Sequence, residues 1–299
     1  MSSFQTIGVI GKRRDPRVTS SLAQLCATLK GLGREVLVET ETAQLLPAGT
    51  VTRAGREELA RRCQLVIVIG GDGTLLDAGR SLAASGVPIL GVNQGRLGFL
   101  VDVRPGEIRE TLVALLRGEY SSETRLVFAA RVRRADGDLE TEMLAVNDVV
   151  VRNLAAIRML EFETWLADGE GWEFISEHRA DGIIVSTPTG STAYALSSGG
   201  PVMHPALDAV AIVPICPHTL SDRPIVVPAG RTIRIVLRGD ASGATATCDG
   251  QISAPLEPGD AIEISRSPHG LRLIHPHRYS YFELLRDKLH WGSRPGGAM

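Results

Sequence analysis

The sequence predicts an α/β domain with a parallel sheet, followed by a mainly antiparallel β domain. Three observations carry that prediction. Up to about Tyr120, short apolar runs alternate with segments of helical period. Beyond about Ser121, strand-like runs follow one another with acid-glycine turns between them. At 299 residues the chain is long enough for two domains with substantial cores. The boundaries read as 1–121 for the α/β domain and 122–274 for the β-rich domain, with a C-terminal segment over 275–299.

TIGVI, EVLVE, QLVIVIG and PILGV are short, continuous and rich in β-branched residues, as strands covered on both faces are. Val18–Leu32, Arg53–Arg62, Thr74–Ala84 and Glu107–Leu116 carry apolar residues at helical spacing, the last just after Pro105. Strands alternating with helices imply a parallel sheet with helices on both sides. In the second half, RLVFAARVRR and LETEMLAVNDVVV flank a turn at Asp136-Gly137 and predict a hairpin. MLEFETWLADGEGWEFISE repeats that pattern around Asp168-Gly169. RTIRIVLRG, ATATCDG, DAIEISRS and LRLIHP continue the antiparallel rhythm, and Tyr281–Trp291 is the candidate for a terminal helix.

Composition excludes several classes of function. With 43% hydrophobic and 22% charged residues and a formal net charge of −2, the chain lacks the basic footprint of a nucleic-acid or anionic-membrane binder. No run approaches the roughly 20 apolar residues that span a bilayer. The apolar run near the N-terminus has its charges after it, the reverse of a secretory signal. Cys26, Cys63, Cys216 and Cys248 form no C-x-x-C pair and read as reduced, buried thiols, so a cytoplasmic location is expected.

The densest motif is VIVIGGDGTLL, Val66 to Leu76. A buried strand runs into a helix across a turn with glycines at 70, 71 and 73, where open α/β sheets bind ligands and helix N-termini favour anions. Those glycines allow close approach of a phosphate and positive φ where the turn needs it. No G-x-x-x-x-G-K-[ST] occurs, and Leu76 stands where a dinucleotide fingerprint has its third glycine. The unusual member is Asp72, an acid beside a presumed phosphate. Two readings stand: a base that accepts or orients the proton of an attacking hydroxyl, or an N-cap for the following helix.

A second dense stretch is RADGIIVSTPTGSTAYALSSGGP, Arg179 to Pro201. Ser186, Thr187, Thr189, Ser191 and Thr192 put five hydroxyls around Gly190, with Tyr194 after them, and offer donors and acceptors to a sugar, a base or phosphates. Turn chemistry accounts for two or three of them.

GGDGTLL, NQGRLGFL at 93–100, NDVV at 147–150 and DGIIVSTPTGSTAYALSSGGP resemble, in order, the motifs of the NAD kinases. The terminal LIHPHRYSYFELLRDKLHW is similar to proteobacterial members, so the resemblance covers nearly the whole chain. The GGDGT turn alone is shared with diacylglycerol-kinase-like lipid kinases; the STPTGSTAY run is the discriminating element.

The resemblance implies the NAD kinase fold. It also implies transfer of the γ-phosphoryl group of ATP, or in some members of polyphosphate, to the 2′-hydroxyl of the adenosine ribose of NAD. It implies a homodimer or homotetramer. Asp72 matches the family's base, and Gly71 and Gly73 its phosphate loop. Asn147, Asp148 and Asp181 match residues that contact the dinucleotide. Thr189, Thr192, Ala193, Tyr194 and Ser197 match the wall around its adenine and nicotinamide parts, and Phe99 lies in a loop near the site. The family usually has Glu where this chain has Asp148, which retracts the carboxylate by one methylene. Arg179 matches a position linked to donor choice and to NAD over NADH.

His178, His204, His218, His269, His275, His277 and His290 form no H-E-x-x-H, so a protein-held zinc site is not expected. The metal implied is magnesium, carried in with ATP. Two other functions share parts of this pattern. A lipid kinase shares GGDGT but has a glycine-threonine-glycine-asparagine segment where this chain reads GVNQGRLGFL. A dinucleotide sensor would bind NAD without turnover.

Overall fold

A computed structural model of the chain describes residues 4–12, 15–95, 98–140, 142–153, 159–219 and 221–290. Arg96 and Leu97 of the 93–100 motif, and Trp291 with the glycine-rich tail, lie outside the described residues. The chain opens with β1 (Thr6–Gly11), α1 (Pro16–Gly31), β2 (Glu35–Glu39), β3 (Thr52–Ala54), α2 (Arg56–Arg62) and β4 (Leu65–Gly70). There follow α3 (Asp72–Leu82), β5 (Ile89–Asn93), α4 (Ile108–Leu116) and β6 (Tyr120–Arg125). The β-rich stretch holds β7 (Phe128–Arg133), β8 (Met143–Ala145), β9 (Asp148–Asn153), β10 (Leu160–Asp168), β11 (Gly171–Ala180) and β12 (Gly182–Ser186). It continues through α5 (Tyr194–Ser197), β13 (Ala209–Ile215), β14 (Ile225–Pro228), β15 (Ile233–Arg238), β16 (Ala244–Cys248), β17 (Ile252–Pro255) and β18 (Ala261–Arg266). Strand β19 (Leu271–Pro276) and helix α6 (Tyr281–Leu289) close the chain.

These elements form two compact units, each discontinuous in sequence. The first takes the residues up to Ala78, Val87–Glu123 and those from Arg272 onward; the second takes Gly79–Gly86 and Thr124–Leu271. In the first unit the sheet order is β3-β2-β1-β4-β5-β19-β6, and the β3-β2-β1-β4-β5-β19 pairings are all parallel. Every residue of β4 and β5 is buried, as expected of strands covered on both faces. Ile7, Val9, Ile67, Ile69 and Leu90 pack with Leu22, Leu25 and Leu29 of α1 and with Ile108 and Leu112 of α4.

Two local readings change. Arg53 belongs not to a helix but to β3, which pairs parallel with β2, and α2 starts only at Arg56. A three-residue strand is too short to show a period. LRLIHP joins the parallel sheet beside β5 through Leu273↔Ile89 and Ile274↔Leu90, rather than the antiparallel half. Local alternation reports burial; it does not report which strand lies alongside.

The second unit stacks two six-stranded antiparallel sheets, ordered β11-β10-β15-β18-β7-β8 and β14-β13-β12-β9-β16-β17. Both expected hairpins are present. Phe128 pairs with Ala145 across the turn containing Gly137, and Asp168 pairs with Gly171 across Gly169. Phe128, Phe162, Leu166 and Ile235 from one sheet meet Val149, Val151, Ile183 and Val185 from the other in one core. Strand β12 is buried throughout because its second face is covered too: Ile184, with Val150, Ala211 and Val213, packs against Ala195 and Met203. The STPTGSTAY segment therefore rides on an apolar platform. Cys26, Cys63 and Cys248 are buried, their thiols pushed up to about 11, 12 and 12 by burial. Cys216, expected buried, is exposed and takes a left-handed φ of 46°.

Candidate active site

In the sheet of the first unit the chain runs outward from β1 through β2 to β3, then crosses back to place β4 on the other side of β1. The gap between the carboxyl ends of β1 and β4 is thus the point where the winding reverses, the usual ligand crevice of an open parallel sheet. A cavity of about 420 Å³ lies there, lined by Gly11 and Lys12 after β1, Gly71, Gly73, Thr74 and Asp77 after β4, and Arg56 of α2. Helix α3 begins at the turn, so the positive end of its dipole adds to the two cations. The wall is held by a chain of bonds. Gly11 N–H donates to Thr42 Oγ1 at 2.8 Å and the Thr42 hydroxyl donates to buried Glu39 at 2.7 Å. Arg56 in turn bonds Glu39 and, at 2.8 Å, Asp77. Gly71 does not take positive φ, and nothing lies within 4 Å of where a Cβ would stand. Gly71 lines the cavity with that space open.

Asp72 is the first residue of α3, and its carboxylate is engaged by another segment of the first unit. Oδ2 accepts the N–H of Phe99 at 2.8 Å, and Oδ1 accepts that of Leu100 at 3.0 Å. The approach is so close that a Cβ at Gly98 would stand 1.9 Å from Oδ1, which explains a glycine there. Each carboxylate oxygen has two acceptor directions, so one bond to each leaves capacity for a hydroxyl. The side chain joins the glycine turn to the 98–100 segment, a role neither of the two readings of Asp72 anticipated.

The second unit has its own cavity, about 380 Å³, lined by Asn147, Asp148, Val150, Arg152, Ala193, Tyr194, Thr247, Asp249 and Gly250. Four residues singled out in the sequence, Asn147, Asp148, Ala193 and Tyr194, converge here. The backbone of the Asn147 turn is gripped from two sides. Thr187 donates its N–H to Asn147 O at 2.9 Å and its hydroxyl to Val146 O at 2.6 Å. From the other side Asp249 accepts the N–H of Val146 at 3.0 Å and of Asn147 at 2.7 Å.

Comparison with known proteins decides the family. Residues 7–120 match the ATP-NAD kinase N-terminal domain and residues 146–276 the ATP-NAD kinase C-terminal domain. The chain belongs to the NAD kinase family. It is 46% identical to the NAD kinase of Teredinibacter turnerae over 297 residues, which is 99% of this chain and 100% of the other. It is also 46% identical to that of Pseudomonas putida strain W619, over 99% of both chains. Among solved structures, an NAD kinase from Archaeoglobus fulgidus in complex with ATP superposes with a TM-score of 0.75 at 26% identity, covering 95% of this chain and 98% of that one. The yeast NADH kinase complexed with NADH shares the fold, with a TM-score of 0.88 at 23% identity over 100% and 91% of the two chains.

In this NAD kinase family member the hydroxyl run divides. Ser186, Thr187 and Ser191 are fully buried and serve the fold: Ser191 Oγ donates to Pro188 O at 2.7 Å and accepts Met203 N–H at 2.9 Å. Thr189 is buried, within 3.4 Å of Arg125, and Thr192 is half-buried. Ser197 and Asp181 are exposed. Arg179 stands on the edge strand β11, its side chain 60% exposed and its Nε 3.7 Å from Glu161 on β10. Lys12, Arg56, Asp77 and Asp249 were not singled out in the sequence. Fold topology collects the first three, whereas Asp249 sits in one of several acid-glycine turns and differs in having φ 50°.

Asp148 is 5% exposed, and burial together with neighbouring Asp249 pushes its carboxyl up to about 7 from an ordinary 3.8. The folded state therefore holds this proton more tightly than the unfolded chain. The stability this contributes is complete below about pH 4 and is lost as pH rises through 7, a change on the order of a few kcal/mol. Asp148→Asn should melt at a higher temperature than the natural chain at pH 8, and the gap should close at pH 4. Thermal melts across that range check it; a gap that widens towards low pH contradicts it.

Proposed function

We propose that this chain transfers the γ-phosphoryl group of ATP to the 2′-hydroxyl of the adenosine ribose of NAD, forming NADP, with Asp72 as the base. The observation that carries the reading is the placement of a carboxylate at the head of an anion-binding helix, beside a cavity that collects Lys12, Arg56 and the amides of Gly71 and Gly73. A phosphate chain needs the amides and cations; an attacking hydroxyl needs the carboxylate. The acceptor's adenosine and ribose are read by Asn147, Asp148, Ala193 and Tyr194 of the second cavity. Asp181, Thr189, Thr192 and Ser197 flank it in sequence, Phe99 steadies Asp72 through its N–H, and Arg179 biases donor and acceptor choice from the β11 edge.

Magnesium enters with ATP. Asp77, the carboxylate lining the phosphate cavity, is ion-paired with Arg56 at 2.8 Å, so the cavity fits a metal carried on phosphates rather than one caged by protein. On this reading the chain works in the cytoplasm as a homo-oligomer. No described helix is long and apolar enough to cross a membrane.

A dehydrogenase-coupled assay for NADP, run beside an assay for phosphorylated diacylglycerol, tests the reading. NADP formation that needs ATP and magnesium supports it. Lipid phosphorylation, or NAD binding without turnover, contradicts it. Gly71→Ala probes the phosphate contact with little disturbance of the fold, because the space for the methyl is open. Its melting temperature should stay within about 2 °C of the natural chain, an open surface change being nearly neutral. KM for ATP should rise about tenfold, as for loss of one charge-assisted contact. An unchanged KM for ATP would place the phosphates elsewhere.

A further inference from the structure

Arg80 lies on α3 two turns after Asp72, and its guanidinium is bound within the second unit. Its side chain is 6% exposed and donates at 2.5 Å to Asp249, whose side chain is 0% exposed. The other arm of the guanidinium bonds the side-chain oxygen of Gln251. Asp249 in turn receives three consecutive backbone amides: Val146 at 3.0 Å, Asn147 at 2.7 Å and Asp148 at 3.3 Å. Three successive N–H groups aimed at one carboxylate form an anion nest, and here the anion is a side chain of the protein itself. To reach it Asp249 adopts φ 50°, a left-handed conformation that a non-glycine residue keeps only when its surroundings impose it.

A fully buried carboxylate of this kind needs a counter-charge, and the Asp249 nest lies beside a second buried acid, Asp148. The same cavity is lined by Arg152 and Tyr194, and Cys248, the last residue of β16, precedes Asp249. Arg80 is a cation in direct contact with Asp249. Without it the nest loses the charge that holds Asp249 in place, and the Asn147 turn loses its second grip.

We propose that Arg80 is a positioning residue for the acceptor substrate: through Asp249 it fixes the backbone of the Asn147–Asp148 turn and compensates one of the two acids in that cavity. The proposal rests on reading that cavity as the NAD site. It goes beyond that reading by assigning the control of acceptor affinity to a side chain that does not line the cavity.

The test compares Arg80→Gln, Arg80→Lys and Asn147→Ala by steady-state kinetics with NAD and ATP varied separately. Arg80→Gln keeps a donor on a shorter side chain but loses the charge; KM for NAD should rise about tenfold or more, as for a lost charge-assisted bond, while KM for ATP stays within about twofold. Arg80→Lys restores charge at a single point and should give an intermediate rise for NAD of about threefold. In Arg80→Gln the pH at which KM for NAD changes should also move upward, because Asp148 then faces an uncompensated Asp249. A residue needed only for stability would lower the folded fraction and leave both KM values and the pH profile in place, and that result overturns the proposal. So does an equal rise in both KM values. If Arg80→Gln does not fold, Arg80→Lys decides: a selective threefold rise for NAD supports the proposal and natural values overturn it. Asn147→Ala separates the two layers. Should it leave KM for NAD unchanged, the reading of the cavity as the NAD site fails and this inference with it; should it raise KM for NAD while the Arg80 variants do not, only the inference fails.

Discussion

Asp72→Asn should yield a folded protein whose turnover falls by about 10²–10⁴-fold, the usual worth of general-base assistance. The substitution keeps volume and one acceptor oxygen but removes the negative charge that takes up the 2′-hydroxyl proton as the phosphoryl group arrives. The geometry adds a structural cost. Phe99 and Leu100 each donate an N–H to a different oxygen of Asp72, and an Asn amide offers an acceptor to only one of them. The other amide loses its partner at about 1–3 kcal/mol, so the melting temperature should drop by a few degrees. Phosphoryl transfer through a loose transition state depends more on positioning and charge neutralisation than on early proton removal, which puts the fall in turnover towards the lower end of its range. Turnover measured at saturating NAD and ATP, beside a thermal melt, checks both parts. Near-natural turnover would show that the carboxylate is not the base.

Gly190→Ala, behind the second cavity's Asn147 turn, should impair NAD use severely for a methyl-sized change. An added Cβ would stand 2.0 Å from the carbonyl oxygen of Asn147 and 2.8 Å from its Cα, and both are backbone atoms with no rotamer to yield. Either the 187–192 turn or the Asn147 turn must shift, and the Thr187 bonds to Val146 and Asn147 tie them together. Overpacking of this kind costs about 1–3 kcal/mol. The displaced turn carries Asn147 and Asp148 with it, so KM for NAD should rise by at least about tenfold, the equivalent of one lost polar contact. The effect should exceed that of Gly71→Ala on stability, since Gly71 has open space where Gly190 has none. A Gly190→Ala protein with natural stability and natural KM for NAD would show that the two turns are not coupled as described.

Much of this architecture is legible in the amino-acid sequence. Buried β-branched runs alternating with helical periods announce the parallel sheet, and both acid-glycine hairpins are where the alternation puts them. The glycine turn and Asp72 stand out because an acid among phosphate-binding glycines demands a chemical reason. Lys12 and Arg56 are not legible in that way. Each is an ordinary surface cation in sequence, and only the crossover between β1 and β4 brings them to one crevice. Asp249 is hidden for the opposite reason: its Asp-Gly pair looks like those at 136–137 and 168–169, which are plain turns. The left-handed backbone and the three amides that distinguish it arise from tertiary contacts. The hydroxyl run overstates its ligand contacts, because Ser186, Thr187 and Ser191 spend their hydrogen bonds holding the segment itself and the neighbouring Asn147 turn. A run of polar residues does not show which of them face inward.

The central claim, that this chain moves a phosphoryl group from ATP onto the 2′-oxygen of NAD, is tested most directly by phosphorus-31 NMR of the product made by the purified chain from ATP, magnesium and NAD. The account predicts a new phosphomonoester signal coupled to the 2′ proton of the adenosine ribose, appearing in step with ADP. ADP accompanied only by inorganic phosphate, or a phosphomonoester at another position, would contradict it.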